Sequence, residues 1–233
     1  MSGENPWLAR TEITVALLTL GAGAMDALSF VALGEVFTSA MTGNTVLLGV
    51  AIGEGRILAS ARAVAALVGF IAGAAIASRP LVATERGAFS RGVARGFAIE
   101  ACFLALFAAL FIAVGRGAPE AVAIVMILLA SSGMGAQSLI AHHLGVPGIT
   151  TTVFTGTLTT IVYGLTGVAA DKAPPAHMPH RTARQIAAFA VYATGAALGG
   201  FLAHEGLRIV GAVPLAAVLA VLGSFAVRGV DPA

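Results

Sequence analysis

The sequence has little charge for its length. Asp, Glu, Lys and Arg together make up 10% of its 233 residues, against 58% hydrophobic residues. The mean hydropathy is +0.94. A water-soluble domain of this size needs far more charged surface than these residues supply. The composition therefore excludes a soluble globular protein and predicts a membrane protein that has the lipid bilayer as its surroundings.

Cysteine and aromatic residues are scarce as well. Cys102 is the single cysteine, which excludes an intrachain disulfide, and its apolar surroundings in the sequence predict a buried, inert thiol. One Trp and two Tyr stand against 29 Gly, and small residues let membrane helices approach closely. The net charge of +2 comes from basic residues scattered over short loops. We therefore expect no nucleic acid partner.

Motifs of catalysis are absent from the sequence. It has no nucleotide-binding loop, no Gly-x-Ser-x-Gly elbow and no zinc-protease helix. His142 with His143, and His177 with His180, come without the carboxylates or thiols that a metal site needs. We expect no metal, no cofactor and no enzymatic activity, since an intramembrane enzyme would need several polar groups in one cavity.

Continuous apolar runs predict an all-α fold, a polytopic bundle of transmembrane helices. A β-barrel would show shorter, alternating segments instead. Eight segments are predicted, at 13–34, 37–53, 61–78, 93–115, 119–141, 148–170, 184–203 and 207–228. The second and sixth open with polar residues, so each is either an interrupted or re-entrant segment or an ordinary helix whose hydroxyls bond to the preceding turn. With eight crossings and a cytoplasmic N-terminus, eight basic residues lie inside and five outside, which is a weak bias.

Similar residues recur in the two halves of the chain. Residues 24–30 resemble 133–139, the Thr-Gly pair at 42 recurs at 155, and 73–77 resemble 195–199, with offsets of 109, 113 and 122. We expect one membrane domain built from two four-segment repeats, residues 1–115 and 116–233. Four crossings in each half would make the repeats parallel, and the alignment sets Asp26 opposite Gly135.

Polar residues within apolar segments are the candidates for a binding site. Asp26 lies near the middle of the first segment, where an ionised carboxylate costs several kcal/mol unless it is paired, hydrated or protonated. Asp26 is either a proton-binding or cation-binding residue or a structural acid that bonds a neighbouring helix. Glu100 is expected at the start of the fourth segment, solvated at the interface. The predicted substrate-binding or coupling residues are Asp26, Ser29, Thr42, Gly43, Asn44, Gln137, Ser138, Thr155, Gly156 and Thr157.

The chain resembles the YoaK family of bacterial inner-membrane proteins. The resemblance rests on residues 23–34, on Met41-Thr42-Gly43-Asn44-Thr45 and on residues 150–158, and it extends over most of the chain. It implies a multi-pass protein of the bacterial plasma membrane. The family is one of unknown function, so the resemblance implies no substrate and no catalytic residue.

These observations favour one function and leave a rival open. We expect a small-solute secondary transporter or permease in which the paired polar segments form a site at mid-depth and Asp26 couples transport to a proton or cation. The many hydroxyl and amide groups suit a neutral, hydrogen-bonding solute. The alternative is a membrane scaffold or regulatory protein whose polar residues only hold its helices together.

Overall fold

The computed structural model describes residues 6–86, 90–145, 162 and 178–226. Within these ranges the helices are α1 (Pro6–Ala32), α2 (Met41–Gly53), α3 (Ile57–Ser78), α4 (Arg91–Val114), α5 (Glu120–His143), α6 (Met178–His204) and α7 (Val213–Ala226). Two short 3-10 helices, Arg79–Leu81 and Arg208–Ala212, follow α3 and precede α7. No strand occurs in this part of the chain. The prediction of an all-α fold is confirmed.

Five of the described helices are long and apolar enough to cross a membrane. These stretches are Ile13–Ala32, Ile57–Leu81, Arg91–Val114, Glu120–His143 and Ala183–His204. Two further apolar helices are shorter, Met41–Gly53 and Arg208–Ser224. The predicted sixth segment, 148–170, lies outside the described residues except for Val162. The structure therefore supports five spans among the eight predicted segments.

Glycine turns end three of the helices within one or two residues. After α1, Gly34 and Glu35 both have positive φ, and the Glu35 N–H bonds the Phe30 carbonyl at 3.1 Å. This pairing across six residues is the Schellman stop, which favours glycine because a Cβ is disfavoured at positive φ. Gly55 after α2 and Gly206 after α6 make the same kind of stop. Each helix therefore turns sharply into the next segment.

Helices α3 and α5 pack closely through small residues and run parallel. The Ser132 hydroxyl donates to the Gly69 carbonyl at 3.0 Å. A Cβ at Gly73 would overlap the Ser132 carbonyl oxygen, and one at Gly135 would overlap that of Phe70. Backbones that approach so closely gain from van der Waals contact over their whole length. Gly69 and Gly73, one turn apart on α3, thus form a packing surface for α5.

Helices α1 and α6 form a second parallel pair with the same kind of contact. A Cβ at Gly195 would overlap the Leu20 carbonyl oxygen, and one at Gly23 would overlap that of Tyr192. Gly199 lies against the backbone of Ala24 one turn further along both helices. Among the described helices, the partners within these two glycine-packed pairs have the most extensive contacts with each other.

The α4 helix supplies much of the apolar core. Phe97, Phe107 and Phe111 are fully buried, and the rings of the last two stack with centroids 5.7 Å apart. Cys102 lies on the opposite face of α4 and is exposed on the surface of the bundle. The prediction of a buried thiol is therefore wrong. An apolar run does not tell which of its faces is turned inward, because this helix is apolar all round.

Side-chain contacts at the helix ends define the two ends of the bundle. At the Glu120 end, Arg62 of α3 pairs with Glu120 of α5, and Arg116 donates to the carbonyls of Ala203 and His204 at 3.0 Å. At the opposite end, the His143 end, the His143 ring contacts the Thr84 hydroxyl at 3.0 Å. Helix α1 also ends at the Glu120 end, since Gly34, two residues after it, lies against the Arg62 guanidinium. Helix α5 begins there, so α1 and α5 run antiparallel.

Candidate functional site

Asp26 is the centre of a closed hydrogen-bonded cluster. Its Oδ1 accepts from the N–H groups of Thr38 and Ser39, both at 2.7 Å, and from the Thr38 hydroxyl at 3.1 Å. Its Oδ2 accepts from the Ser39 hydroxyl at 2.6 Å and from the Tyr192 hydroxyl at 2.7 Å. Only 2% of Asp26 is exposed. Five donors on two oxygens fit an ionised carboxylate, whose burial they compensate.

Asn44 fixes the residue just before this cluster. Its side-chain oxygen accepts from the Phe37 N–H at 2.9 Å, and its amide group donates to the Phe37 carbonyl at 2.6 Å. Asn44 is fully buried. The side chain therefore replaces a backbone partner for Phe37, which satisfies two polar groups that have no partner in a helix. Gly43 leaves room for this arrangement, since a Cβ there would touch the Phe37 ring at 3.0 Å.

Residues 34–53 enter the bundle and return to the end from which they came. We call them the returning segment. Asp26 lies six residues before the end of α1, about 9 Å along its axis at 1.5 Å per residue. Thr38 and Ser39 contact Asp26, so the chain after α1 folds back to that depth before α2 begins at Met41. Arg56, just after α2, lies 4.0 Å from Glu35, just after α1.

This geometry decides between the two readings of the second predicted segment. The segment is an irregular stretch followed by a 13-residue helix, and both of its ends lie at the Glu120 end. A helix of 13 residues extends about 20 Å, which is short of the roughly 30 Å hydrocarbon core. Irregular backbone at such depth is tolerated where protein or a water-filled cavity surrounds it. The structure therefore agrees with the interrupted, re-entrant form of this segment.

The other predicted site residues do not all join the Asp26 cluster. Gln137 is buried on α5 and donates to the Leu18 carbonyl at 3.1 Å, two turns of α1 away from Asp26. Ser29 is fully buried with no partner for its hydroxyl among the described residues, while Thr42 is exposed at the start of α2. Ser138 is half-buried on α5. Asn44 and Gln137 thus bind separate backbone groups instead of converging. Thr155, Gly156 and Thr157 lie outside the described residues.

Two residues of importance were missed by reading the sequence. Tyr192 of α6 is 166 positions from Asp26 and supplies its fifth hydrogen bond. It is one of two tyrosines and lies inside an apolar segment, where a hydroxyl needs a hydrogen-bond partner. Glu100 is fully buried, nine residues inside α4, and neither carboxyl oxygen has a hydrogen-bond partner in the described part of the chain. The prediction of an interfacial Glu100 is wrong, because α4 extends well beyond it on both sides.

A cleft of about 300 Å³ opens at the His143 end. Ser78, Thr84, Arg86, Leu139, His142 and His143 are among its lining residues. The His143 ring is tied to this site by the Thr84 hydroxyl and by the Glu85 carbonyl at 3.2 Å. The cleft lies far from Asp26, at the other end of α5. It is a surface feature of the helix ends and not a continuation of the Asp26 cluster.

Comparison with known proteins identifies relatives but no activity. The family profile described as "Protein of unknown function (DUF1275)" matches residues 14–225. The chain is 32% identical over 213 residues to the UPF0700 transmembrane protein YoaK of Bacillus subtilis (strain 168). The aligned region covers 89% of this chain and 91% of that protein. No solved structure matches. The predicted resemblance is confirmed.

Proposed function

This membrane protein belongs to the DUF1275 family, and we propose that it is a secondary transporter or permease for a small, neutral, hydrogen-bonding solute in the bacterial plasma membrane. The observation that carries the proposal is the returning segment, which brings irregular backbone and the start of a helix to the depth of Asp26. Transporters build their solute sites from such discontinuous segments. A protein that only needed a stable bundle would gain nothing from breaking a helix there.

Paired glycine contacts support an inverted repeat. Gly23 and Leu20 of α1 correspond to Gly135 and Ser132 of α5, with a shared offset of 112. Their partners Tyr192 and Gly195 of α6 correspond to Phe70 and Gly73 of α3, with a shared offset of 122. Since α1 and α5 run antiparallel, the two halves have opposite orientation. A second segment that does not cross leaves three crossings in the first half, and an odd number of crossings inverts the half that follows.

The repeat register proposed here differs from the one read off the sequence. With an offset of 112 in place of 109, Ser138 and not Gly135 takes the position equivalent to Asp26. Both positions then carry a hydrogen-bonding side chain on an inner helix of its half. The two halves of the site differ in charge, however, since the second has a hydroxyl where the first has a carboxylate.

The same topology changes which basic residues lie on the same side of the membrane. Among the described residues, seven basic positions lie at the His143 end: Arg10, Arg79, Arg86, Arg91, Arg95, Arg181 and Arg184. Four lie at the Glu120 end: Arg56, Arg62, Arg116 and Arg208. Basic residues of short loops favour the cytoplasmic side. We therefore assign the His143 end, with the N-terminus of α1, to the cytoplasm.

Asp26 and Asn44 act in this proposal by positioning the returning segment. Their hydrogen bonds hold residues 37–39 against α1 and α6, with no donor left free for a solute. Thr42 is the exposed hydroxyl at the same level and is the proposed solute contact, together with Thr155 and Thr157 of the second half. Protonation of Asp26, or binding of a cation to its carboxylate, would weaken its hydrogen bonds to Thr38 and Ser39. That release would couple the segment's movement to a proton or cation.

Transport is tested with purified protein in liposomes. A panel of labelled sugars, polyols, amides and neutral amino acids is assayed for uptake with and without a pH gradient, against empty liposomes. We expect uptake of one class, faster with the gradient, and lost in Thr42→Val. Thr45→Val is the matched control, because the Thr45 hydroxyl already bonds the Met41 carbonyl of its own helix at 3.0 Å. Uptake equal to empty liposomes for every solute would refute the proposal.

A scaffold or regulatory role is favoured by one observation. The protein itself supplies five hydrogen bonds to Asp26, and these join α1, α6 and the returning segment. Under this alternative, Asp26→Asn lowers the melting temperature in detergent and changes no solute-induced shift of that temperature. A solute-induced shift that disappears in Asp26→Asn at a temperature where the variant is folded would favour transport.

A further inference from the structure

Glu100 stands out as a buried carboxyl with nothing to neutralise it. It is 0% exposed, and both of its oxygens lack a hydrogen-bond partner among the described residues. The residue lies in the third turn of α4, inside a stretch apolar enough to cross a membrane. An ionised carboxylate in such a place costs several kcal/mol, and native structures avoid that cost by pairing or neutralising the group.

The position of Glu100 is fixed by contacts on either side of it. A Cβ at Gly96 would lie 3.1 Å from the Ile140 side chain, and one at Gly133 would lie 2.8 Å from that of Leu104. Glu100 is halfway between these contacts on α4, so it is level with residues 136 and 137 of α5. Gln137, the nearest polar residue by this register, has its amide group committed to the Leu18 carbonyl. No described side chain hydrogen-bonds the Glu100 carboxyl at this level.

Charged and titratable groups of the surrounding elements are engaged or distant. The elements packed against α4 are α3, α5, α7 and the two 3-10 helices. Arg62 and Glu120 pair with each other at the Glu120 end, and α7 has no titratable residue. The remaining groups, on these elements and on α4 itself, are Arg79, Arg91, Arg95, Cys102, His142, His143 and Arg208. None of these described groups hydrogen-bonds the Glu100 carboxyl.

A proton fits this site better than a metal cation. Hard cations need several oxygen ligands at once, whereas the Glu100 oxygens have no hydroxyl or carbonyl bonded to them in the described chain. Nor does any group of three His, Cys, Asp or Glu residues lie together there. A single proton on one carboxyl oxygen removes the charge without any further ligand. The carboxylic acid is thus the form that the burial of Glu100 accommodates.

We infer that Glu100 is a proton-binding site that carries its proton in the conformation seen here. The two buried carboxyls have opposite environments, since Asp26 accepts five hydrogen bonds and Glu100 none. Hydrogen bonds to a carboxylate favour its charged form, whereas burial without such bonds favours the protonated acid. For Glu100 to release its proton, α4 must separate from α5 or α7 and admit water, so deprotonation favours an open conformation.

The proton site itself does not depend on the proposed transport function; only a role of Glu100 in coupling transport to protons rests on it. Proton occupancy is measured without transport, by infrared spectroscopy of the purified full-length protein in a detergent that has no ester or carboxyl groups. The probe is the carbonyl stretching band of a protonated carboxylic acid, which an ionised carboxylate lacks. We expect this band at neutral pH, its complete loss in Glu100→Gln, and its retention in Asp26→Asn. Glu205→Gln, the same change at an exposed position, is the matched control and should retain the band.

The outcomes separate this inference from the transport proposal. A band that is absent from the wild type, that survives Glu100→Gln, or that disappears in Asp26→Asn overturns the assignment. A band assigned to Glu100 without any solute uptake supports the proton site and counts against transport. If Glu100→Gln does not fold, protein made with carbon-13-labelled glutamate settles the assignment, since the label shifts the band only when a glutamic acid carries the proton. Glu100 is the one fully buried glutamate among the described residues.

Discussion

At the scale of the residue, the carboxylate of Asp26 joins three parts of the chain that are far apart in sequence. Two backbone N–H groups of residues 38 and 39 end on it, where no helix supplies partners for them. A buried N–H without a partner costs about 1–3 kcal/mol. The Asp26 side chain removes this cost for two N–H groups and so stabilises the irregular stretch at this depth. The Tyr192 hydroxyl then attaches the same carboxylate to α6.

Removing that hydroxyl tests how much the α6 attachment contributes. Tyr192→Phe keeps the ring and deletes one charge-assisted hydrogen bond, which is worth about 1.5–3 kcal/mol. We expect a lower melting temperature in detergent micelles, measured by circular dichroism or intrinsic fluorescence. Thr194→Val is the matched control on the same helix, since the Thr194 hydroxyl bonds only the Ala190 carbonyl of its own turn. Equal melting temperatures for the two variants would show that the Tyr192 bond does not hold α6 in place.

At the scale of the element, the glycine-packed pairs α1 with α6 and α3 with α5 set how the helices lie. Membrane helices have no hydrophobic gain from mutual contact, because lipid tails are as apolar as their side chains. Close backbone approach provides the contact energy instead, and it requires glycine where one helix meets the carbonyl oxygens of the other. Both pairs meet this condition at Gly23, Gly73, Gly135 and Gly195.

Adding one methyl group distinguishes a packing glycine from an incidental one. Gly73→Ala would drive its Cβ into the Ser132 carbonyl and force α3 away from α5, so we expect a loss of roughly 1–3 kcal/mol or more. Gly49→Ala, in the exposed part of α2 with nothing within 4 Å of the new Cβ, should be neutral or stabilise the helix by up to about 1 kcal/mol. Thermal unfolding in detergent measures both. A Gly73→Ala variant as stable as Gly49→Ala would contradict the packing assigned to α3 and α5.

At the scale of the whole molecule, the returning segment decides which end of each later helix faces which side. If residues 34–53 cross, residue 54 lies on the side of the N-terminus and residue 85 on the other. If they return, these two positions exchange sides. Charge agrees with the second arrangement, because it brings the dense basic stretch from Arg79 to Arg95 to the side of the N-terminus.

Cysteine labelling measures this directly. In a Cys102→Ala background, Glu54→Cys, Glu85→Cys and Glu205→Cys each provide one thiol at an exposed position. A membrane-impermeant maleimide applied to intact cells should label positions 54 and 205 and leave 85 unlabelled until the cells are opened. Labelling of position 85 on intact cells, with position 54 protected, is the result expected of eight crossings and would refute the returning topology.

The sequence by itself determined the class of the protein and the first half of its candidate site. Low charge and long apolar runs left only a helical membrane protein, since uninterrupted helices satisfy their backbone polar groups in lipid. Asp26 and the Thr-Gly-Asn motif were recognisable because polar residues at membrane depth need a reason.

Only the tertiary structure decided how these parts are used. Residues 34–53 turn back because Asp26 and Asn44 hydrogen-bond the backbone of residues 37–39. Hydropathy alone predicts these residues as part of one more apolar segment. The burial of Glu100, the exposure of Cys102 and the bond from Tyr192 each depend on which face of an apolar helix meets a neighbour. A helix apolar all round carries no record of that face in its sequence, because lipid and protein interior favour the same side chains.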